Sequence, residues 1–180
     1  MARLPYADLN AEDAKPVVDR IVAERGSVLH LYQMLLHSVP VTEGWLALLT
    51  AIRQRCSLSG ALRELVIMRV AILNGAQYEA DQHAPIALRE GLSQPQLDAL
   101  AEWEQADCFT DEQRAVLALT DRMTHDVQVP AAVMSRVRTH LNDRETVELT
   151  ATIAAYNMVS RFIEALGIHS HDPRDQDAGH

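Results

Sequence analysis

The sequence predicts an all-α fold, arranged as a compact helical bundle. Apolar residues recur at helical spacing along nearly the whole chain, and no stretch shows the alternation of a half-buried strand. Apolar residues make up 48% of the 180 residues, enough for one sizeable core. The 7 Gly and 7 Pro are too few for a turn-rich β protein.

Nine helices are predicted, and residues that cap or break helices mark their limits. In chain order they cover about residues 10 or 12–24, 28–36, 41–54, 60–73, 77–90, 94–106, 110–124, 130–141 and 143–166. Starts are indicated by capping residues or Pro, namely Ser27, Pro40, Ser57 or Ser59, Ser93, Thr110, Pro130, and Asn142 or Asp143. Ends are indicated by Gly26, Asn74-Gly75, Gly91 and Gly167.

The fourth and ninth helices are apolar around almost their whole circumference, so we expect both to be surrounded by protein. The fourth nevertheless carries Glu64 and Arg69, and a charge in such a place must be paired, protonated or functional. On the ninth, Asn157 and Arg161 share one face. These polar residues are therefore candidates for a site.

The charge balance excludes several classes of partner. With 16 basic and 25 acidic residues, the net charge of −9 argues against nucleic acid and against an anionic membrane. No apolar run of about 18 residues is present, and no signal peptide is visible. The two cysteines, Cys56 and Cys108, belong to no CxxC pair. We therefore expect a cytoplasmic protein with a small-molecule partner.

The densest polar cluster is the segment NGAQYEADQHAPIALREG, which contains Glu79 and His83 four residues apart on one predicted helix. Their side chains are neighbours, and a carboxylate beside an imidazole fixes its tautomer and raises its pKa. A helical hairpin could fold Glu64 back toward them, which suits acid/base chemistry. A purely structural role for this cluster stays open, and a metal site has less support because no second His stands at ligand spacing.

The run RELVIMRVAILNGAQYEADQHAPIALREGLSQPQLDAL, which ends at Leu100, resembles the carboxymuconolactone decarboxylase / alkylhydroperoxidase D family. The stretches DEQRAVLALTDRMT and ETVELTATIAAYNMVSRFIEAL are similar to its single-domain, decarboxylase-like members. The resemblance implies an all-α bundle built around a helical hairpin, assembled as a homo-oligomer, a trimer or hexamer. It also implies a domain over residues 40–168, after an N-terminal helical extension packed on it (1–39) and before a polar tail (169–180).

In the family's peroxidase branch, a Glu is followed by CxxC and a His. Matching that pattern places its Glu at Glu64 and its His at His83, while Ala76 and Glu79 stand at the two cysteine positions. Without two thiols in reach of each other, no disulfide can form and reform during turnover. The alternative of an alkylhydroperoxidase-like oxidoreductase is therefore doubtful.

The decarboxylase branch implies removal of carbon dioxide from a carboxylated unsaturated lactone, without cofactor or metal. By this resemblance Glu79 and His83 carry protons and Glu64 assists. From residue type and position we expect that Arg161 or Arg69 binds a substrate carboxylate and that Tyr78 and Asn157 donate to an oxyanion. A third hypothesis is a non-catalytic oligomer that binds a small acid in the same pocket.

Overall fold

The computed structural model describes residues 1–173, and within them the chain is all-α, as predicted. The helices are α1 (Lys15–Arg25), α2 (His30–Leu35), α3 (Val39–Gln54), α4 (Gly60–Asn74), α5 (Gln77–Arg89), α6 (Gln94–Ala99), a 3-10 helix (Leu100–Gln105), α7 (Asp111–His125), α8 (Ala131–Val137) and α9 (Asp143–Leu166). Residues 174–180 of the predicted tail lie outside the described part. Among the described helices, none is both long and apolar enough to cross a bilayer.

The described residues divide into two compact units. One comprises residues 1–51 and the described residues from 163 onward, and the other comprises residues 52–162. In the first unit the hydroxyl of Tyr6 donates to the buried carboxylate of Asp172 at 2.7 Å, and the amide of Gln33 donates to the carbonyl of Ala7. The division at residues 40 and 168 that the sequence suggests stays a prediction.

The second unit is organised around α4, which packs against α5 and α7. Its own apolar side chains are buried on several sides, among them Leu65, Val66, Ile67 and Val70, as its all-round hydrophobicity predicts. The side chain of Ser59 caps its start by accepting from the backbone N–H of Leu62.

A tight turn joins α4 to α5 and makes the hairpin that positions the site. Gly75 ends α4 with φ of 65°, in the left-handed region where a side chain is strained. The backbone N–H groups of Gly75 and Ala76 donate to the last carbonyls of α4, at Ile72 and Ala71. The chain thus reverses direction within two residues, which brings α5 back along α4.

Glu148, near the start of α9, holds the loop that leads into α4. Its Oε2 accepts from the backbone N–H groups of Ser57 and Leu58 and from the hydroxyl of Ser57, at 2.7–2.9 Å. Its Oε1 accepts from Arg144 at 2.8 Å. One carboxylate therefore satisfies two backbone donors that precede the helix.

Candidate active site

The hairpin brings Glu64 of α4 and His83 of α5 into direct contact. Nδ1 of His83 lies 2.7 Å from Oε2 of Glu64, and the two residues are 7% and 0% exposed. Glu64 faces α5 because the α4–α5 turn reverses the chain between them. The sequence predicts this proximity, although it pairs His83 first with Glu79, one helical turn away.

In this pair Glu64 is an ionised carboxylate and His83 is a neutral imidazole. Burial lowers the pKa of His83 below its usual value, against the opposing hydrogen bond from Glu64. Burial acts to raise the pKa of Glu64, but the hydrogen bond from His83 and nearby positive charge outweigh it, so the pKa is lowered. The carboxylate does act to raise the histidine pKa, as expected, but burial is the larger effect, so the net shift is downward and a raised pKa is wrong here.

This arrangement fixes the tautomer of His83. A neutral ring whose Nδ1 donates to a carboxylate has its lone pair on Nε2. Nε2 is then the atom that can accept a proton from, or return one to, a bound molecule. A carboxylate that holds an imidazole in one tautomer is a recurring device for proton transfer.

A row of charges continues from Glu64 to the protein surface. Arg63 lies 3.2 Å from Glu64 and also 3.2 Å from Glu90, which follows α5. Glu90 lies directly over Gly60, where any side chain would overlap its carboxylate. Arg63 is thus committed to two protein carboxylates.

Arg53, in the last turn of α3, is a residue that the sequence argument missed. It is half-buried, and its positive charge lowers the pKa of both Glu64 and His83. Unlike Arg63, it acts on the pair through its charge and forms no ion pair with Glu64. Its position eleven residues before Glu64 carries no helical spacing signal, because a loop separates the two helices.

Glu79 lies in the first turn of α5 and is 2% exposed. Its Oε2 is hydrogen-bonded to the hydroxyl of Ser160, a fully buried residue of α9. The ring of His83 makes an edge-on contact with Tyr156, one turn before Ser160, with centroids 5.2 Å apart. Tyr78 is also buried, at the start of α5. The inner face of α5 therefore meets α9 as well as α4.

Arg69 has other partners. Its guanidinium makes a forked pair with Asp121 of α7 at 2.7 and 2.8 Å and donates to the carbonyls of Leu100 and Ala101. Trp103 donates to the same Asp121 carboxylate at 3.0 Å. These bonds tie the 3-10 helix to α4 and α7 and leave Arg69 little capacity for a ligand.

Asn157 and Arg161 form a separate cluster on α9. Asn157 is buried and bonds to Asn74 and to Thr124, while the exposed Arg161 donates to both oxygens of Asn157. No hydrogen bond joins this cluster to the Glu64–His83 pair among the described residues. Their predicted roles in substrate binding stay predictions.

Ala76, just before α5, and Glu79, in its first turn, stand where the peroxidase branch has its two cysteines, so no redox pair forms there. The two cysteines of the chain are free thiols, Cys56 half-buried and Cys108 exposed. Burial raises the pKa of Cys56, and the charge of Glu148 adds to this, so the reactive thiolate is disfavoured. Over residues 1–173, no cluster of three or more His, Cys, Asp or Glu side chains could hold a metal ion.

Comparison with known proteins identifies the family. The sequence model of the carboxymuconolactone decarboxylase family matches residues 40–122. The uncharacterized protein YnjA of Escherichia coli is 30% identical over 136 residues, covering 74% of this chain and 71% of its own. The chain belongs to the carboxymuconolactone decarboxylase family.

Solved structures share the family's helical fold. The alkylhydroperoxidase AhpD core of a peroxidase-related protein from Ralstonia eutropha superimposes with a TM-score of 0.79 at 20% identity, covering 97% of this chain and 93% of its own. The debrominase Bmp8, in complex with 2,3,4-tribromopyrrole, gives a TM-score of 0.75 at 17% identity, covering 92% and 88% of the two chains. At these identities the likeness shows the fold alone.

Proposed function

We propose that this protein is a cofactor-independent acid/base enzyme of the lyase type, acting on a small carboxylated or carbonyl substrate such as an unsaturated lactone. The observation that carries the proposal is the buried hydrogen bond between Glu64 and His83, 2.7 Å long. It gives one imidazole a defined tautomer in a place largely closed to water. Family membership supports the reaction class, whereas the fold alone would not set it.

Removal of a carboxyl group as carbon dioxide makes three demands. The carboxylate must be held, its bonding electrons must flow into a conjugated carbonyl, and one carbon must then be protonated. For the first demand we propose Arg53, because Arg69 and Arg63 are committed to protein carboxylates. Arg161 stays the predicted alternative. Tyr78 and Asn157 stay predicted oxyanion donors.

His83 and Glu79 are the proposed proton carriers, with Glu64 holding the imidazole. Because burial lowers the pKa of His83, its ring stays neutral at pH values below the usual 6.5. Activity that needs the Nε2 lone pair is therefore retained in mildly acidic solution. It is lost only as the pH falls through the lowered pKa of His83.

The test uses a panel of carboxylated unsaturated lactones and β-keto acids, carboxymuconolactone among them, incubated with the protein in deuterium oxide. Carbon dioxide release and deuterium in the product report the two halves of the reaction. We expect turnover to fall by about 10²–10⁴-fold in His83→Gln, the usual contribution of a positioned acid or base. The control His125→Gln alters an exposed histidine at the end of α7 and should keep full activity.

A folded His83→Gln protein with undiminished turnover would refute the proposal. The two alternatives have their own signatures. Hydroperoxide consumption that Cys56→Ser with Cys108→Ser abolishes would indicate the oxidoreductase, and a small acid that raises the melting temperature without conversion would indicate a binding protein.

We also propose, from the family, that the protein acts in the cytoplasm as a trimer or hexamer of identical chains. Exposed apolar side chains on α9, at Val147 and Met158, are compatible with such an assembly.

A further inference from the structure

The hydroxyl of Ser160 lies between two oxygen atoms. It is within hydrogen-bond distance of Oε2 of Glu79, and it lies 2.9 Å from the carbonyl oxygen of Tyr156. Ser160 is fully buried and Glu79 is 2% exposed, so bulk water does not separate these three oxygens. A hydroxyl carries one hydrogen, so it can donate to only one of its two neighbours.

Counting hydrogens favours one arrangement. A serine inside a helix commonly donates to the carbonyl four residues earlier, which here is Tyr156. The oxygen of Ser160 then serves as an acceptor, and the hydrogen in its bond with Glu79 comes from Glu79. In the opposite arrangement, Ser160 donates to an ionised Glu79 and its lone pairs face the Tyr156 carbonyl with no hydrogen between them.

The burial of Glu79 and the charge of Glu64 favour the same arrangement. An ionised carboxylate at this depth is costly, and Glu64, one hydrogen bond beyond His83, already carries a negative charge. The place of Glu79 in the first turn of α5 favours ionisation through the helix dipole. Burial and the hydrogen count outweigh that effect.

We propose that Glu79 is a neutral carboxylic acid at neutral pH, and that Ser160 is the positioning residue whose oxygen accepts the hydrogen bond that the Glu79 carboxyl group donates. This assignment rests on the proposed function for its catalytic meaning: Glu79 is the acid, and His83, neutral with Nε2 free of hydrogen, is the base. Two groups one helical turn apart then hold opposite proton-transfer roles.

The proposed step balances. The bond between the substrate carbon and its carboxylate breaks, carbon dioxide leaves, and the electron pair moves into the conjugated carbonyl. The proton of Glu79 then forms the new carbon–hydrogen bond. Nε2 of His83 then takes a proton from solvent water and passes it to the resulting Glu79 carboxylate, so each turnover consumes one proton.

Infrared spectroscopy of the ligand-free protein tests the protonation state directly, because a protonated carboxyl has a carbonyl stretch well apart from the carboxylate bands. We expect the wild-type band to be lost in Glu79→Gln, and to shift or vanish in Ser160→Ala. The matched control is Thr152→Val, which removes another buried α9 hydroxyl bonded to the carbonyl four residues earlier. That variant should keep the band unchanged.

A wild-type minus Glu79→Gln spectrum that shows only ionised carboxylate bands overturns the proposal. An unaltered band in Ser160→Ala overturns the role of Ser160. If Glu79→Gln does not fold, NMR of wild-type protein with isotope-labelled glutamate decides, since one carboxyl carbon should stay protonated after the exposed glutamates ionise. These measurements use no substrate, so absence of turnover with every lactone would count against the proposed function alone.

Discussion

Replacing Glu148 by Gln should destabilise the protein and flatten its response to acid. The Glu148 carboxylate accepts from two backbone N–H groups, from the Ser57 hydroxyl and from Arg144. Burial acts to raise the pKa of Glu148, but these hydrogen bonds outweigh it and lower the pKa to about 2. A glutamine keeps one acceptor oxygen and turns a donor group toward the other partners.

The magnitude follows from the pKa. A carboxyl whose pKa falls from 4.5 to about 2 on folding stabilises the folded state at neutral pH. That stabilisation is at most about 3.4 kcal/mol. Arg144 is 66% exposed and the Glu148 side chain is 12% exposed, so solvent screens part of it. We expect Glu148→Gln to lower the free energy of unfolding by about 1.5–2.5 kcal/mol, or the melting temperature by about 3–10 °C.

The direction of the Glu148 pKa shift determines the pH range in which this stabilisation is lost. Because folding lowers this pKa, the stabilisation is fully present above 4.5 and disappears as the pH falls toward about 2. Urea unfolding at neutral pH and at several acidic values should show the difference between wild type and Glu148→Gln shrinking across that window. The control is Glu164→Gln, an exposed carboxylate on the same helix. If both variants match in stability and acid response, Glu148 does not hold the start of α4.

Two further predictions concern arginines. Arg53→Met should raise KM for an anionic substrate by about 10–150-fold through loss of a charge-assisted bond, with the fold intact by circular dichroism. The acid limb of the pH–rate profile of this variant should move to higher pH, since the charge of Arg53 lowers the pKa of His83. An unchanged KM would show that Arg53 does not bind the substrate. Arg69→Met should lower the free energy of unfolding by about 2–4 kcal/mol in urea, because it leaves Asp121 without its forked partner. A loss below about 1 kcal/mol would show that this ion pair is not needed.

The sequence predicted most helices because the residues that start and end a helix act on backbone groups only a few positions away. Ser93 and Thr110 cap their helices as predicted, and each forms a capping box that satisfies backbone donors within four residues. Where a start was misplaced, turns or extended backbone intervene. Residues before Lys15 form turns instead of a first helical turn, and an extended Leu29 delays α2 to His30.

The sequence predicted only the part of the site that the α4–α5 hairpin brings together. Glu64 and His83 are 19 residues apart across one turn, so the contact follows from the hairpin itself. Ser160 is 81 residues from Glu79, and no spacing rule connects them. The tendency of the histidine to stay neutral was missed for a related reason, since burial depends on how α4, α5 and α9 pack together.

Helix α9 is hydrogen-bonded to other parts of its unit at two positions along its length. Glu148 holds the entrance to α4, and Ser160, twelve residues further on, holds the acid on α5. Glu148 and Ser160 therefore lie about 18 Å apart along the helix axis. A shift of α9 by a single residue would rotate both side chains by roughly 100° about the helix axis. Both sets of hydrogen bonds would then be lost together. Sliding of α9 would therefore remove the hydrogen bond of the proposed acid and release the loop that leads into α4 in the same movement.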